Sequence, residues 1–205
     1  MTLIPPGKLF LTTLLAWCGL FWIAMSFSPV DGQNWILSSI LPFVLVAVLA
    51  ATHRTFPLSH GAYALITTFL TLHMIGAHYT YAQVPFGNWL ESAFGMSRNP
   101  FDRIVHFCFG LLLTYPLLEV FVRLANAGGA LASYLAFMTP LGLSGLWEVV
   151  ESWVARIVSP QLGDAYLGSQ GDIWDAQKDM VAAVAGSLLC LLVIAAVRSR
   201  RRGLA

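Results

Sequence analysis

The segment GDIWDAQKDMVAAVAGSLLCLLVIAAV, residues 171–197, places three aspartates directly before one of the most apolar stretches of the chain. Carboxylates cost free energy to desolvate, so their concentration at the start of an apolar helix indicates a site rather than an ordinary connecting loop. Residues 180–197 have about the length of a bilayer-spanning helix, which needs roughly 20 mainly apolar residues. The segment therefore predicts a membrane helix that begins with ionisable groups.

The whole chain has the composition of a membrane protein. Its 205 residues are 58% hydrophobic and 10% charged, and their mean hydropathy is +0.73. These values lie far outside the range of soluble domains. Six segments approach the length of a membrane span, namely 9–27, 35–51, 62–77, 104–124, 130–150 and 180–197. We predict an all-α polytopic membrane protein, a bundle of about six transmembrane helices that forms a single integral-membrane domain over residues 1–205.

Charged residues divide unevenly between the two ends of such a bundle. With six spans both termini share one side, and that side carries most of the basic residues: Lys8, Arg54, Arg123, Arg198, Arg200, Arg201 and Arg202. The positive-inside rule then places both termini in the cytoplasm. Of the 10 Asp and Glu residues, only Glu119 lies near the cytoplasmic end. We therefore expect an outward-facing polar cluster.

The start of the fourth predicted span carries a carboxylate and an imidazole on one helix face. Asn99 and Pro100 are typical of a helix start, with Asn99 as N-cap and Asp102 as a capping-box acid. Because Asp102 and His106 are four residues apart, His106 lies about one turn deeper. Such a pair indicates a metal site, or a carboxylate that orients an imidazole for proton transfer. The alternative is a capping role for Asp102 and a hydrogen bond within the bundle for His106.

Two glutamates lie near the outward end of the fifth predicted span. Glu148 and Glu151 are three residues apart and share a helix face. Neighbouring carboxylates repel unless a cation, a proton or a basic partner lies between them. A metal ion would meet that need, and so would Arg103 or Arg156. The alternative leaves Glu151 in water at an interfacial helix end, with Glu148 one turn deeper.

The aspartates of the opening segment lie in one stripe if the last helix begins near Gly171. Capping by Ser169 or Asp172, together with the helix dipole, would account for Asp172 and Asp175. Asp179 is different, because an apolar run follows it directly and places it just inside the membrane boundary. We rank Asp179 first and Asp175 second among the groups expected to face the interior of the bundle.

Together these groups predict a divalent-metal site for Zn, Mn or Mg, with the ligands Asp102, His106, Glu148, Asp175 and Asp179. The residues expected to act on the substrate are Asp102, His106, Glu148 and Asp179. The residues expected to bind it are Arg103 and Lys178, which suit a phosphate, and His78, Tyr81 and Trp174. His73, nearer the middle of its span, is expected to make a polar contact between helices.

Two classes of function fit these expectations. The first is a metal-dependent hydrolase or transferase that acts on a lipid-linked ester or phosphoester near the outer leaflet. The second is a noncatalytic binder or proton-coupled transporter of a lipid-linked or cationic ligand, with Glu148 or Asp179 as the proton-linked group. The sequence contains no GxSxG or HExxH pattern and no visible inverted repeat. The expected partners are membrane lipids and a lipid-linked substrate, without nucleic acid.

Four motifs carry a resemblance to a known family: HYTYA at 78–82, DRIVHF at 102–107, WEVVE at 147–151 and GDIWDAQKDM at 171–180. In these the chain resembles the YjdF-like bacterial inner-membrane proteins, a domain of unknown function. The resemblance implies a six-span inner-membrane protein without an established activity. The chain is more loosely similar to VanZ-like proteins, associated with glycopeptide resistance, but has Arg103 where lysine is usual and a different closing motif.

Overall fold

The computed structural model describes residues 6–124 and 126–203, without the side chains of Ala165 and residues 201–203. Within that range the chain forms eight helices and no strand. In chain order they are α1 (Lys8–Met25), α2 (Gly32–Thr52), α3 (His60–His78), α4 (Pro85–Phe94), α5 (Phe101–Arg123), α6 (Gly129–Ile157), α7 (Pro160–Leu167) and α8 (Asp175–Gly203). The predicted all-α bundle is confirmed. The ends of the predicted domain, at 1–5 and 204–205, lie outside the described residues, as do the side chains of Arg201 and Arg202 used to orient it.

Five of the described helices are long and apolar enough to cross a membrane, namely α1, α2, α5, α6 and α8. The remaining predicted span, α3, is more polar but runs from one end of the bundle to the other. At its start, the Ser59 amide donates to Glu119 of α5 (2.9 Å), and at its end His78 contacts the Met25 carbonyl of α1 (2.8 Å). Helix α3 packs against α1, α2 and α5, and its Thr71 and His73 side chains contact α1 and α2. Six spans remain a prediction, supported by this placement.

The pair α5 and α8 forms the most extensive helix contact of the bundle. Two glycines permit it. A Cβ atom on Gly110 would lie within 3.0 Å of the Ala183 carbonyl, and one on Gly186 within 3.0 Å of the Phe107 carbonyl. Small residues let membrane helices approach to backbone contact. Thr114 Oγ1 of α5 and a serine hydroxyl of α8 add a buried hydrogen bond of 3.0 Å beside these glycines.

A proline in α2 explains the polar residue in the middle of α3. Pro42 has no amide hydrogen, so the carbonyl of Ser38, four residues earlier, loses its partner within the helix. His73 Nε2 donates to that carbonyl across 2.8 Å. In the neutral ring Nδ1 then accepts, and the Tyr81 hydroxyl donates to it at 2.6 Å. The predicted polar contact of His73 between helices is present, and it binds α3 to α2.

The two short helices lie between predicted spans, α4 between 62–77 and 104–124 and α7 between 130–150 and 180–197. Each begins with a proline, Pro85 or Pro160, and each ends at a glycine in the left-handed region, Gly95 (φ 61°) or Gly168 (φ 62°). In α4 the rings of Phe86 and Trp89 stack and are more than half exposed. Exposed aromatic side chains at the end of a membrane bundle are typical of the headgroup layer.

Enlarging Gly186 should separate α5 from α8. In Gly186→Val the added carbons meet the backbone of Phe107, which cannot rotate away, so we expect a loss of about 1–3 kcal/mol or more. The matched control is Gly142→Val in α6, where a Cβ meets nothing within 4 Å, with an expected change below about 0.5 kcal/mol. Thermal unfolding in detergent measures both. Equal Tm values for the two variants would contradict the backbone contact.

A double-mutant cycle tests the proline and histidine pair. His73→Leu leaves the Ser38 carbonyl without a donor, at an expected cost of about 1–2 kcal/mol. Pro42→Ala restores the amide hydrogen within α2, so the same His73→Leu change should cost less in that background. The loss of the Tyr81 contact occurs in both backgrounds and cancels. An equal cost of His73→Leu in the unaltered protein and in the Pro42→Ala variant would exclude this explanation.

Candidate functional site

Three helices each contribute one pair of polar residues, four positions apart, to the same end of the bundle. The pairs are Asp102 and His106 in α5, Ser144 and Glu148 in α6, and Asp175 and Asp179 in α8. Residues at this spacing lie above one another on a helix face. The close contact of α5 with α8, and the packing of α6 against both, turn these faces toward one another. We call Asp102, His106, Glu148 and Asp179 the His106 cluster.

Three residues of the His106 cluster have the spacing of metal ligands. One ligand atom from each of Asp102, His106 and Asp179 lies within 4.8 Å of the other two. Asp179 is 1% exposed and His106 is 8% exposed. Buried carboxylates are retained in proteins when they are paired or bind a cation, because an unpaired one is costly. The arrangement is suited to a divalent cation.

His106 lies between two carboxylates and a hydroxyl. Its Nε2 is 3.7 Å from Asp102 Oδ1 and 3.6 Å from Glu148 Oε1, and its Nδ1 is 3.1 Å from Ser144 Oγ. A histidine that binds a metal through Nε2 keeps its proton on Nδ1, where a second group must accept it. Ser144 Oγ is placed to accept that proton. The imidazole is thereby fixed with Nε2 toward the carboxylates.

Two carboxylate oxygens of the His106 cluster lack a hydrogen-bond partner among the described residues. They are Glu148 Oε1 and Asp179 Oδ1, and both are buried. The nearest base to Asp179 Oδ1 is Arg103, whose Nε is 3.9 Å away, beyond hydrogen-bond distance. A buried acceptor without a donor costs about 1–3 kcal/mol, and more when it is charged. Such oxygens point to a ligand that the protein itself does not supply.

Two arginines balance the remaining acid of α8. Asp175 pairs with the buried Arg98, and its Oδ1 is also 3.2 Å from Arg103 Nη2. Arg98 further donates to the carbonyls of Gly168 and Ser169, each at 3.1 Å, and so fastens the loop before α8. Asp175 thus has two basic partners, whereas Asp179 has none within hydrogen-bond distance among the described residues. The two predicted ligands of α8 differ in this respect.

At the surface, a second set of charges surrounds Asp172. Its Oδ2 accepts from Lys178 Nζ (2.7 Å) and from Arg103 Nη2, and its Oδ1 accepts from the Trp174 amide (3.1 Å). We call Asp172, Arg103 and Lys178 the rim network. The hydrogen bonds from Lys178 and Arg103 hold the pKa of the Asp172 carboxyl well below its usual value. Because α8 begins at Asp175 and not near Gly171, the expected stripe of three acids is wrong for Asp172, which lies in the preceding turn.

The predicted start of α5 is also one residue off. Helix α5 begins at Phe101 with Pro100 in the cap position, and no described side chain makes a cap hydrogen bond there. Asn99 Oδ1 instead accepts from the Phe101 amide (3.0 Å), while its amide group donates to the Val84 carbonyl (3.0 Å). Asp102 does not reach back to cap the helix. Its carboxylate faces His106, so the capping alternative for Asp102 is wrong.

The other predicted substrate-binding residues have hydrogen-bond partners outside the His106 cluster or lie at the surface. Tyr81 donates to His73, and burial raises the pKa of its hydroxyl well above the usual value. His78 Nδ1 contacts the Met25 carbonyl, and Trp174 is 59% exposed on the outside of the turn. Their roles in binding remain predictions. Of this group, Trp174 is exposed, whereas Tyr81 and His78 are partly buried.

Sequence reasoning assigned no role to three neighbours of the site. Ser144 orients His106, Arg98 neutralises Asp175, and Gln170 exchanges hydrogen bonds with the Asn99 backbone at 3.0 and 3.2 Å. Ser144 was detectable, since it stands one turn before Glu148 on the same face. Arg98 and Gln170 were not, because their partners are about 70 residues away in the chain.

The fold and the site define a polytopic helical membrane protein with a buried cluster of ionisable groups at one end of its bundle. The chain belongs to the family described as predicted membrane protein, DUF2238, which matches residues 10–200. It is similar to the inner membrane protein YjdF of Escherichia coli strain K12, with 34% identity over 196 residues that cover 95% of this chain and 90% of the relative. The predicted family is thereby confirmed. No solved structure matches the chain.

Proposed function

We propose that this membrane protein is a divalent-metal-dependent hydrolase or transferase that acts on a lipid-linked ester or phosphoester near the outer leaflet. The observation that carries the proposal is the grouping of Asp102, His106 and Asp179, whose ligand atoms lie within 4.8 Å of one another. One imidazole with two carboxylates suits Zn, Mn or Mg. When bound, the cation would act as a Lewis acid on the ester.

The chain's own residues then have distinct parts. Glu148, with one oxygen 3.6 Å from His106 Nε2 and no other partner among the described residues, is the general base of the proposal. Ser144 is a positioning residue that holds the imidazole. Asp175, also predicted as a ligand, has the different part of keeping Arg98 and Arg103 in place.

The orientation belongs to the same proposal. Both termini lie in the cytoplasm, and the His106 cluster faces the outside of the inner membrane. The distribution of basic residues supports this, and so does α3, which joins the ends of the bundle as a sixth traversal. The exposed aromatic side chains of α4 and the turn before α8 then lie at the level of the outer headgroups.

Removing one ligand should lower metal affinity without unfolding the protein. In His106→Ala and in Asp179→Asn we expect the affinity to fall about tenfold or more, since even residues that only orient a ligand are worth about 10–100-fold. Asp179→Asn should also leave the Tm of the metal-free protein unchanged or higher, because it replaces a buried carboxylate whose Oδ1 has no hydrogen-bond partner among the described residues. Elemental analysis and calorimetric titration with Zn, Mn and Mg measure these effects.

The matched control is Asp164→Asn, which makes the same change of charge at an exposed position of α7. It should bind metal like the unaltered protein. Absence of metal from the metal-replete unaltered protein would refute the site, and so would equal metal affinity in Asp179→Asn. Bound metal without cleavage or transfer of lipid-linked esters would favour the noncatalytic binder.

Reporter fusions at the two termini test the topology. With six spans, a reporter that is active only in the cytoplasm should be active at the N-terminus and also at the C-terminus. If α3 does not cross, five spans place the termini on opposite sides, and only one fusion should be active. Inactivity of both fusions, with intact protein present, would reverse the orientation and place the His106 cluster at the cytoplasmic face.

A further inference from the structure

The rim network brings two basic side chains to a single carboxylate oxygen. Asp172 Oδ2 accepts from Lys178 Nζ at 2.7 Å and from Arg103 Nη2. Both bases remain accessible, with Lys178 49% and Arg103 29% exposed at the side chain. An anion from outside the protein can therefore reach the same two groups that Asp172 now occupies.

The turn that carries Asp172 is held by local contacts. The Asp172 amide donates to the Ser169 carbonyl (2.9 Å), and Gly171 stands in the left-handed region with φ 84°. The next two residues are apolar and exposed, Ile173 by 85% and Trp174 by 59%. Apolar side chains on a surface turn beside membrane helices favour the boundary of headgroups and acyl chains. Asp172 thus lies where lipid headgroups lie.

Arg103 has a donor that Asp172 does not use. Its Nε is buried and has no hydrogen-bond partner among the described residues. A guanidinium binds phosphate most strongly through two parallel hydrogen bonds, for which Nε and one Nη form one edge. Asp172 Oδ2 accepts from Lys178 and from Arg103 Nη2, but it does not accept from Nε, the second donor of that edge. A phosphate, with three free oxygens, can serve Nε, Nη2 and Lys178 together.

We infer that Arg103 and Lys178 form a binding site for the phosphate of a lipid headgroup, and that Asp172 occupies this site as an internal competitor until the phosphate displaces it. The inference rests on the proposed function, because the phosphate is that of its lipid-linked substrate. Asp179 Oδ1 is 3.9 Å from Arg103 Nε, so a phosphate held here lies beside the His106 cluster. Displacement of Asp172 releases Lys178 and leaves Arg103 paired with Asp175. A phosphate monoester, which carries nearly two negative charges, then has both basic side chains within reach.

The test is lipid binding by metal-free protein in detergent micelles that contain phosphatidic acid, with diacylglycerol of the same acyl chains as reference. Asp172→Asn keeps an oxygen for the Trp174 amide and removes the competing charge. We expect Asp172→Asn to bind phosphatidic acid about tenfold more tightly than the unaltered protein. The apparent affinity is proportional to the fraction of molecules whose site is open, and the substitution increases that fraction. Lys178→Gln should bind it more weakly than the unaltered protein, and diacylglycerol binding should not change.

The control is again Asp164→Asn, which separates the loss of this carboxylate from a general change of charge. Equal affinity of Asp172→Asn and the unaltered protein for phosphatidic acid would overturn the inference, as would an equal gain in Asp164→Asn. A parallel titration with inorganic phosphate distinguishes the source: the same gain there, without one for the lipid, would overturn the lipid assignment. Metal affinity of Asp172→Asn should match that of the unaltered protein, so failure of the metal site and failure of the phosphate site give different results.

Discussion

The backbone contact between α5 and α8 is the constraint on which the rest of the structure depends. Gly110 and Gly186 let the two helices approach until each backbone touches the other. Asp102 lies eight residues before Gly110, and Asp179 seven residues before Gly186, which is about two helical turns, or roughly 11 Å, in each case. Because helices of this length are stiff, the contact at the glycines sets the separation of the acids above them. The proposed metal site, with Asp102 and His106 on α5 and Asp179 on α8, requires that fixed separation.

The charges at this end of the bundle form two layers with opposite character. The deeper layer, the His106 cluster, contains three carboxylates and one imidazole, and two of its carboxylate oxygens have no donor among the described residues. The shallower layer contains Arg98, Arg103 and Lys178, and their acids are Asp172 and Asp175. A buried charge is tolerated when a partner offsets its desolvation. The shallower layer meets that condition with its own residues, whereas in the deeper layer the proposed cation would supply the partner.

The six apolar segments predicted from the sequence each coincide with a long helix of the structure, although α6 ends at Ile157 and α8 begins at Asp175, beyond the predicted bounds. The bounds of α3 differ by two residues at its start and one at its end from the predicted 62–77. The hydropathy pattern did not predict α4 and α7, since helices of 10 and 8 residues are too short to be recognised as membrane spans. Their signals were nonetheless present, as a proline at each start and a glycine just after each end. The four-residue spacing likewise placed Asp102 with His106 correctly, because it depends on helix geometry alone.

What the sequence could not predict is which acid meets which base. Asp175 and Asp179 have the same side chain and lie four residues apart on the same helix. Asp175 nevertheless pairs with Arg98, whereas Asp179 faces His106. The difference arises because Arg98 enters from the loop before α5, and that loop is fixed by Asn99 and its contact with Gln170. Such pairings depend on tertiary contacts between distant segments. The polar residue His73 shows the converse case, since Pro42 frees a carbonyl that some donor in a neighbouring helix must satisfy. A proline within one apolar span and a histidine within the next therefore form a pair that the sequence alone can suggest. The pairing of charges around Asp179 can be read only from the three-dimensional structure, because it depends on contacts between distant segments.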